Sequence, residues 1–202
     1  MDDSMKIDIL REVLNIGIGD AADSLSKIIN APVKISIPKI ELIKIDDIPD
    51  FIEEKIKSTG VFVSQDFSGS IEGKVILAYS RQSANSLLVT VVKERRYGNN
   101  FSKSDISILE EIGNLIMVSC ISTIVDVIET DVCFSLPVVS TNLAVEYFKL
   151  LSQRMQEYEH CIVATNRMEI SDIVFESLIY ILLSVSDLEN MVETLYKKMK
   201  VK

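Results

Sequence analysis

Two eight-residue segments carry the side chains best suited to chemistry: Asp8-Ile9-Leu10-Arg11-Glu12-Val13-Leu14-Asn15 and Ser107-Ile108-Leu109-Glu110-Glu111-Ile112-Gly113-Asn114. Both read (D/S)-x-x-x-E-x-x-N. At about 100° per helical residue, positions i, i+4 and i+7 fall within a stripe of roughly 60°. Asp8, Glu12 and Asn15 therefore share one helix edge, as do Ser107, Glu111 and Asn114. An Asn amide can accept from and donate to one water at once, and it stays neutral beside an anion that would repel a carboxylate. A Glu can hold a cationic side chain through a charge-assisted hydrogen bond. One copy would be ordinary on the polar face of any soluble helix. Asn is a poor interior helix residue, with no evident structural reason to recur mid-helix, so two copies point to a site that faces solvent or a partner.

The elements that must position these residues can be read from periodicity. Ile9, Leu10, Val13, Leu14, Ile16, Ala21, Leu25 and Ile28 give residues 5–29 a broad apolar helical face. Pro32 ends that helix, and an extended stretch follows from Val33 through Ile45. A short helix is expected over residues 50–57, a hairpin of residues 60–67 and 71–80 around Ser68-Gly69-Ser70, and a closing helix over residues 82–95. The second half repeats the order, with a helix over 103–128, strands over 132–137, 161–170 and 173–184, and a last helix over 187–200. Glu12 and Glu111, Asn15 and Asn114, Ser36 and Ser135, and Pro38 and Pro137 are each 99 positions apart. Ser80 and Ser184 are 104 apart, consistent with extra residues in the second hairpin around 167–172. The expectation is an α+β fold of two duplicated α-β-β-β-α units, about 1–98 and 99–202. Its sheet should be mainly antiparallel with long helices packed on it, forming one domain with an internal pseudo-two-fold axis.

Composition excludes several classes. The 202 residues are 48% hydrophobic, enough for a sizeable core, and carry 30 acidic against 21 basic side chains for a net charge of −9. With no basic stripe, nucleic acid is an unfavourable partner. Lys93-Glu94-Arg95-Arg96 reads as a solvated helix end before a linker. The acidic start, Met1-Asp2-Asp3-Ser4, is unlike a signal peptide, and no uninterrupted apolar run is long enough to span a bilayer, so a cytoplasmic chain with no membrane partner is expected. Cys120, Cys133 and Cys161 are odd in number and lie in apolar segments, which reads as reduced core thiols rather than disulfides or a metal site. Gly17-Ile18-Gly19-Asp20-Ala21-Ala22 matches G-x-G-x-x-A, but no strand precedes it, and close approach of another element is the better account of its glycines. The sole histidine, His160, stands at a strand edge without a second ligand or triad partner.

The duplicated motif, followed in the first copy by Asn15-Ile16-Gly17-Ile18-Gly19 and ending Ser24-Leu25-Ser26, resembles the CheC family of chemotaxis response-regulator phosphatases over nearly the whole chain. Related CheX and FliY proteins use the same motif. The resemblance implies hydrolysis of phosphoryl-aspartate on a CheY-type receiver, with Asn15 and Asn114 positioning water and Glu12 and Glu111 pairing with a lysine of the receiver. Asp8 and Ser107 would support the motif. It also implies no cofactor of the chain's own, magnesium in the receiver's active site, and the deamidase CheD as a second partner. A non-catalytic adaptor for phosphorylated CheY or CheD, and a flagellar-switch-associated component, are the alternatives. Two departures stand out: Asp20-Ala21 where the family commonly has Asn-Ala, and Val118 at the position equivalent to Gly19.

Overall fold

In the computed structural model, which describes residues 2–56, 59–93, 100–154 and 160–199, the chain opens with helix α1 (Asp3–Ile29). Asp2 caps it, its carboxylate accepting from the Met5 N–H at 2.8 Å, and Asn30 ends it in the left-handed conformation at φ 50°. The core face comprises Ile9, Leu10, Val13, Leu14, Ile18, Ala21 and Leu25. Ile16 and Ile28 are exposed instead, because the 3.6-residue period carries those two positions around to the solvent side.

Strand β1 (Val33–Lys44) leads through a 3-10 turn at Ile45–Asp47 into α2 (Ile48–Lys55), β2 (Thr59–Gly69), β3 (Gly73–Ser80) and α3 (Arg81–Val92). The second half supplies α4 (Lys103–Val127), β4 (Val132–Phe134), β5 (Val138–Leu143), α5 (Ala144–Arg154), β6 (His160–Ile170), β7 (Ile173–Leu183) and α6 (Val185–Met199). Ser80 and Ser184 occupy equivalent places: Ser80 Oγ accepts from Ser83 N–H, and Ser184 Oγ from Asp187 N–H, at the starts of α3 and α6. The expected strand over 132–137 breaks at Ser135-Leu136-Pro137, since proline has no N–H for the ladder, and the chain resumes as β5. Helix α5 then provides the counterpart of α2. In the second hairpin the extra residues lengthen the strands, and the turn is only Ser171-Asp172, both with positive φ. Residue 57, the basic stretch at 94–96 and the His160 side chain fall outside what the structure describes.

The described strands form one antiparallel sheet in the order β1-β6-β7-β3-β2-β4, with β5 also on β2. The outer strands are exchanged between halves: β1 pairs with β6 of the second half, and β4 and β5 pair with β2 of the first. Both faces are covered, so alternate residues enter different cores. Val61, Val63, Val75, Leu77, Ile179 and Ile181 pack under the layer of α1, α3, α4 and α6, whereas Phe62, Ile76, Ala78, Tyr180 and Leu182 pack under α2 and α5.

Helix α4 is long and apolar enough by composition to cross a membrane, yet Leu109, Ile112, Ile116, Met117, Ile121 and Ile124 are buried in the first core. Two glycines set its depth. A Cβ at Gly113 would come 2.8 Å from a Val63 methyl, and one at Gly17 would lie 2.5 Å from the Ser119 carbonyl oxygen, so α4 presses on β2 and α1 crosses α4 in contact. Gly19 has open space around its Cβ position. Cys120 and Cys161 are buried, and burial pushes the Cys120 thiol up to about 12 and the Cys161 thiol up as well. Cys133 is exposed, contrary to the expectation of a core residue, because it lies in the short edge strand β4.

Candidate functional site

Helices α1 and α4 pack against each other on one face of the sheet, so the two motif stripes belong to neighbouring helices. Asp8, Glu12, Ser107 and Glu111 are exposed, and Asn15 and Asn114 are half-buried. Asp8 is engaged on its own helix, accepting from the Arg11 guanidinium at 2.6 Å. Both partners are exposed, and a pair of this kind is worth at most about 0.5 kcal/mol. Glu110 replaces Arg11 in the second copy, so Ser107 has no equivalent ion pair there.

The two asparagines are held differently. Asn15 Nδ2 donates to the carbonyls of Arg11 at 2.8 Å and Ile37 at 3.1 Å, and its Oδ1 accepts from the Ile37 N–H at 2.9 Å. Ile37 sits where the β1–β6 register shifts between Ser36 and Lys39, so its backbone groups lack a ladder partner and Asn15 provides one. Both amide hydrogens of Asn15 are thereby used. At this copy, an asparagine in mid-helix has a structural reason to be there.

Asn114 makes no such contact with the equivalent strand. Its Oδ1 accepts from Gln65 Nε2 at 3.1 Å, and among the described residues its own nitrogen donates to no protein acceptor. Gln65 Nε2 also donates to the Ser135 carbonyl at 2.7 Å. Ser135 continues the link to β2: its N–H donates to the Asp66 carbonyl at 2.9 Å, and its Oγ accepts from the Asp66 N–H at 3.0 Å. Ser36 stands opposite Arg167 as Ser135 stands opposite Asp66, which makes Asn166 the repeat equivalent of Gln65. Asn166 is one methylene shorter and donates to Ser177 Oγ at 2.9 Å. The residues that follow the two serines also diverge: Ile37 is 1% exposed, and its equivalent Leu136 is 86% exposed.

Glu12 lines a groove of about 580 Å³ with Ile16, Asp20, Thr123, Asp126, Glu129 and Lys198. Four carboxylates against one lysine make this surface attractive to a cation and repulsive to a free phosphate. Glu129 and Lys198 pair with each other at its rim. Among the described residues, no group of three or more His, Cys, Asp or Glu side chains is arranged to hold a metal ion.

Motif reading finds the helix stripes and misses Gln65 and Ile37. A signal for Gln65 is present: in Val61-Phe62-Val63-Ser64-Gln65-Asp66-Phe67, period two puts Gln65 in the inward register of Val61, Val63 and Phe67. Asn166 occupies the same kind of place among Ile162, Ala164 and Met168, and both residues are buried. The contact between Asn15 and the Ile37 backbone has no comparable signal, because it depends on where a bulge falls.

No family model matches the chain. It is 25% identical over 168 residues to the CheY-P phosphatase CheC of Bacillus subtilis (strain 168), covering 78% of this chain and 77% of that protein. Among solved structures, FliY of Thermotoga maritima superposes with a TM-score of 0.73 at 18% identity, over 98% of each chain. The chemotaxis protein CheX of Vibrio vulnificus superposes with a TM-score of 0.54 at 15% identity, over 85% of this chain and 98% of that one.

Proposed function

We propose that this chain, which belongs with the CheC, CheX and FliY proteins in sequence pattern and fold, hydrolyses the phosphoryl-aspartate of a CheY-type receiver domain. The observation that carries the proposal is the pair of Glu-x-x-Asn stripes on adjacent helices. Each has an exposed Glu beside a half-buried Asn, in a chain whose sequence resembles a CheY-P phosphatase. An aspartyl phosphate is an activated acyl phosphate, so a helper has mainly to hold water in line with phosphorus. The water oxygen bonds to phosphorus, the bond from phosphorus to the aspartyl oxygen breaks, and the aspartate leaves as a carboxylate. Magnesium is supplied by the receiver. Glu111 and Glu12 dock a receiver lysine, with Ser107 and Asp8 beside them on the same stripes.

The two sites are not equivalent in this proposal. Asn114 keeps its amide nitrogen for water or phosphoryl oxygen, and the exposed Leu136, next in the chain to the Ser135 that Gln65 holds, offers an apolar contact to a docked protein. Asn15 has only one Oδ1 lone pair uncommitted. The α4 site is thus the main catalytic one, and the α1 site favours the second reading, an adaptor that docks a receiver with little chemistry. CheD binding and a cytoplasmic setting follow from the same resemblance.

The test follows loss of phosphate from a phosphorylated CheY-type receiver with wild type, Asn15→Ala, Asn114→Ala and the double variant, each checked for folding. Wild type should accelerate hydrolysis, and Asn114→Ala should remove most of it, on the order of a hundredfold for a lost positioning group. No acceleration by wild type, with CheD present or absent, sinks the proposal.

A further inference from the structure

We infer that Gln65 is a positioning residue for Asn114, selecting which end of the Asn114 amide is left for the receiver; the inference rests on the hydrolytic reading of the α4 site. The Ser135 carbonyl can only accept, so the atom of Gln65 at 2.7 Å from it is the nitrogen. The second hydrogen of that nitrogen points to Asn114, at 3.1 Å, so the atom of Asn114 facing it is the oxygen. The Asn114 nitrogen is then on the side away from Gln65, and neither of its hydrogens is donated to an acceptor among the described residues. A backbone carbonyl in the break between β4 and β5 therefore dictates, through one buried amide, the orientation of a side chain on α4.

Two further features set Gln65 apart from an ordinary structural tie. It is 3% exposed, and its own Oε1 is buried with no partner among the described residues, which costs stability that an apolar residue in this inward register would not. The equivalent Asn166 is turned to Ser177, and at that copy the motif asparagine is bound to strand backbone instead. One methylene of difference between Gln65 and Asn166 thus accompanies the difference between a motif asparagine with a free nitrogen and one without.

The experiment pairs Gln65→Met, which keeps the volume and removes the donor, with receiver turnover and with the side-chain amide signals of Asn114 in the free protein. Turnover should fall about tenfold or more with receiver affinity unchanged, as expected when a reacting group is misplaced and docking is not. In an Asn114→Ala background the same substitution should have no further effect on turnover. The Asn114 amide signals should shift and exchange faster with solvent in Gln65→Met. Unchanged Asn114 signals, or an equal further loss of turnover in the Asn114→Ala background, would overturn the inference. If wild type shows no turnover while the signals still shift, the hydrolytic reading falls and the positioning contact stands. Should Gln65→Met not fold, Gln65→Glu keeps the shape, replaces the donor by an acceptor and is read by the same signals.

Discussion

Asn15→Ala should destabilise the fold more than Asn114→Ala, even though the two residues occupy the same motif position. Removing the Asn15 amide deletes two contacts between α1 and β1, the bonds to the Ile37 N–H and carbonyl at 2.9 and 3.1 Å. The third bond, to the Arg11 carbonyl within the helix, adds little because that oxygen already accepts in the helix ladder. At roughly 1 kcal/mol per bond, with a further penalty if the Ile37 N–H is left dry, the loss is about 2–3 kcal/mol. Asn114→Ala deletes a single bond, and Gln65 retains Ser135, so about 1 kcal/mol is expected. Urea unfolding followed by circular dichroism measures both, and the difference corresponds to several degrees in thermal midpoint for a chain of this size. Equal midpoints, or a less stable Asn114→Ala, would refute the account of Asn15 as a strand anchor. The same comparison guards the activity assay, because a loss of turnover in Asn15→Ala with an early unfolding midpoint reports structure rather than chemistry.

Three further outcomes are expected. Gly17→Val should cost about 1–3 kcal/mol by forcing α1 away from Ser119 and Thr123, whereas Gly19→Ala should be neutral or stabilising by up to about 1 kcal/mol, both read by thermal melts. In native protein one thiol, Cys133, should react rapidly with an aromatic disulfide reagent, and three should react in denaturant; fast native reaction of Cys133→Ser would contradict the burial of Cys120 and Cys161. Burial raises the Cys120 thiol from near 9 to about 12, so above pH 9 the unfolded chain binds fewer protons than the native one and stability falls as pH rises toward 12. Unfolding midpoints across that range should drop less steeply for Cys120→Val, and an unchanged slope would argue against that contribution.

Helix stripes and inward strand registers are local properties. The placement of Glu12 with Asn15, and of Glu111 with Asn114, follows from 3.6 residues per turn whatever the rest of the chain does. Likewise the duplication, the element order of the first half and the pairing of Ser80 with Ser184 are legible from spacing and residue type, whereas their role as helix caps appears only in the structure. Even Gln65 announces itself as a polar residue in a core register. Tertiary structure decided what pairs with what. Exchange of β1 and of β4 with β5 between the halves is a long-range choice that period-two alternation does not encode. It puts a bulge over Asn15 in one half and a proline-broken strand near Asn114 in the other, so Ile37 turns into the core while Leu136 turns out. Two asparagines that are identical by sequence position thereby acquire different partners. An amide's availability depends on which donors and acceptors happen to stand within about 3 Å of it, and that is a property of the folded neighbourhood rather than of the motif.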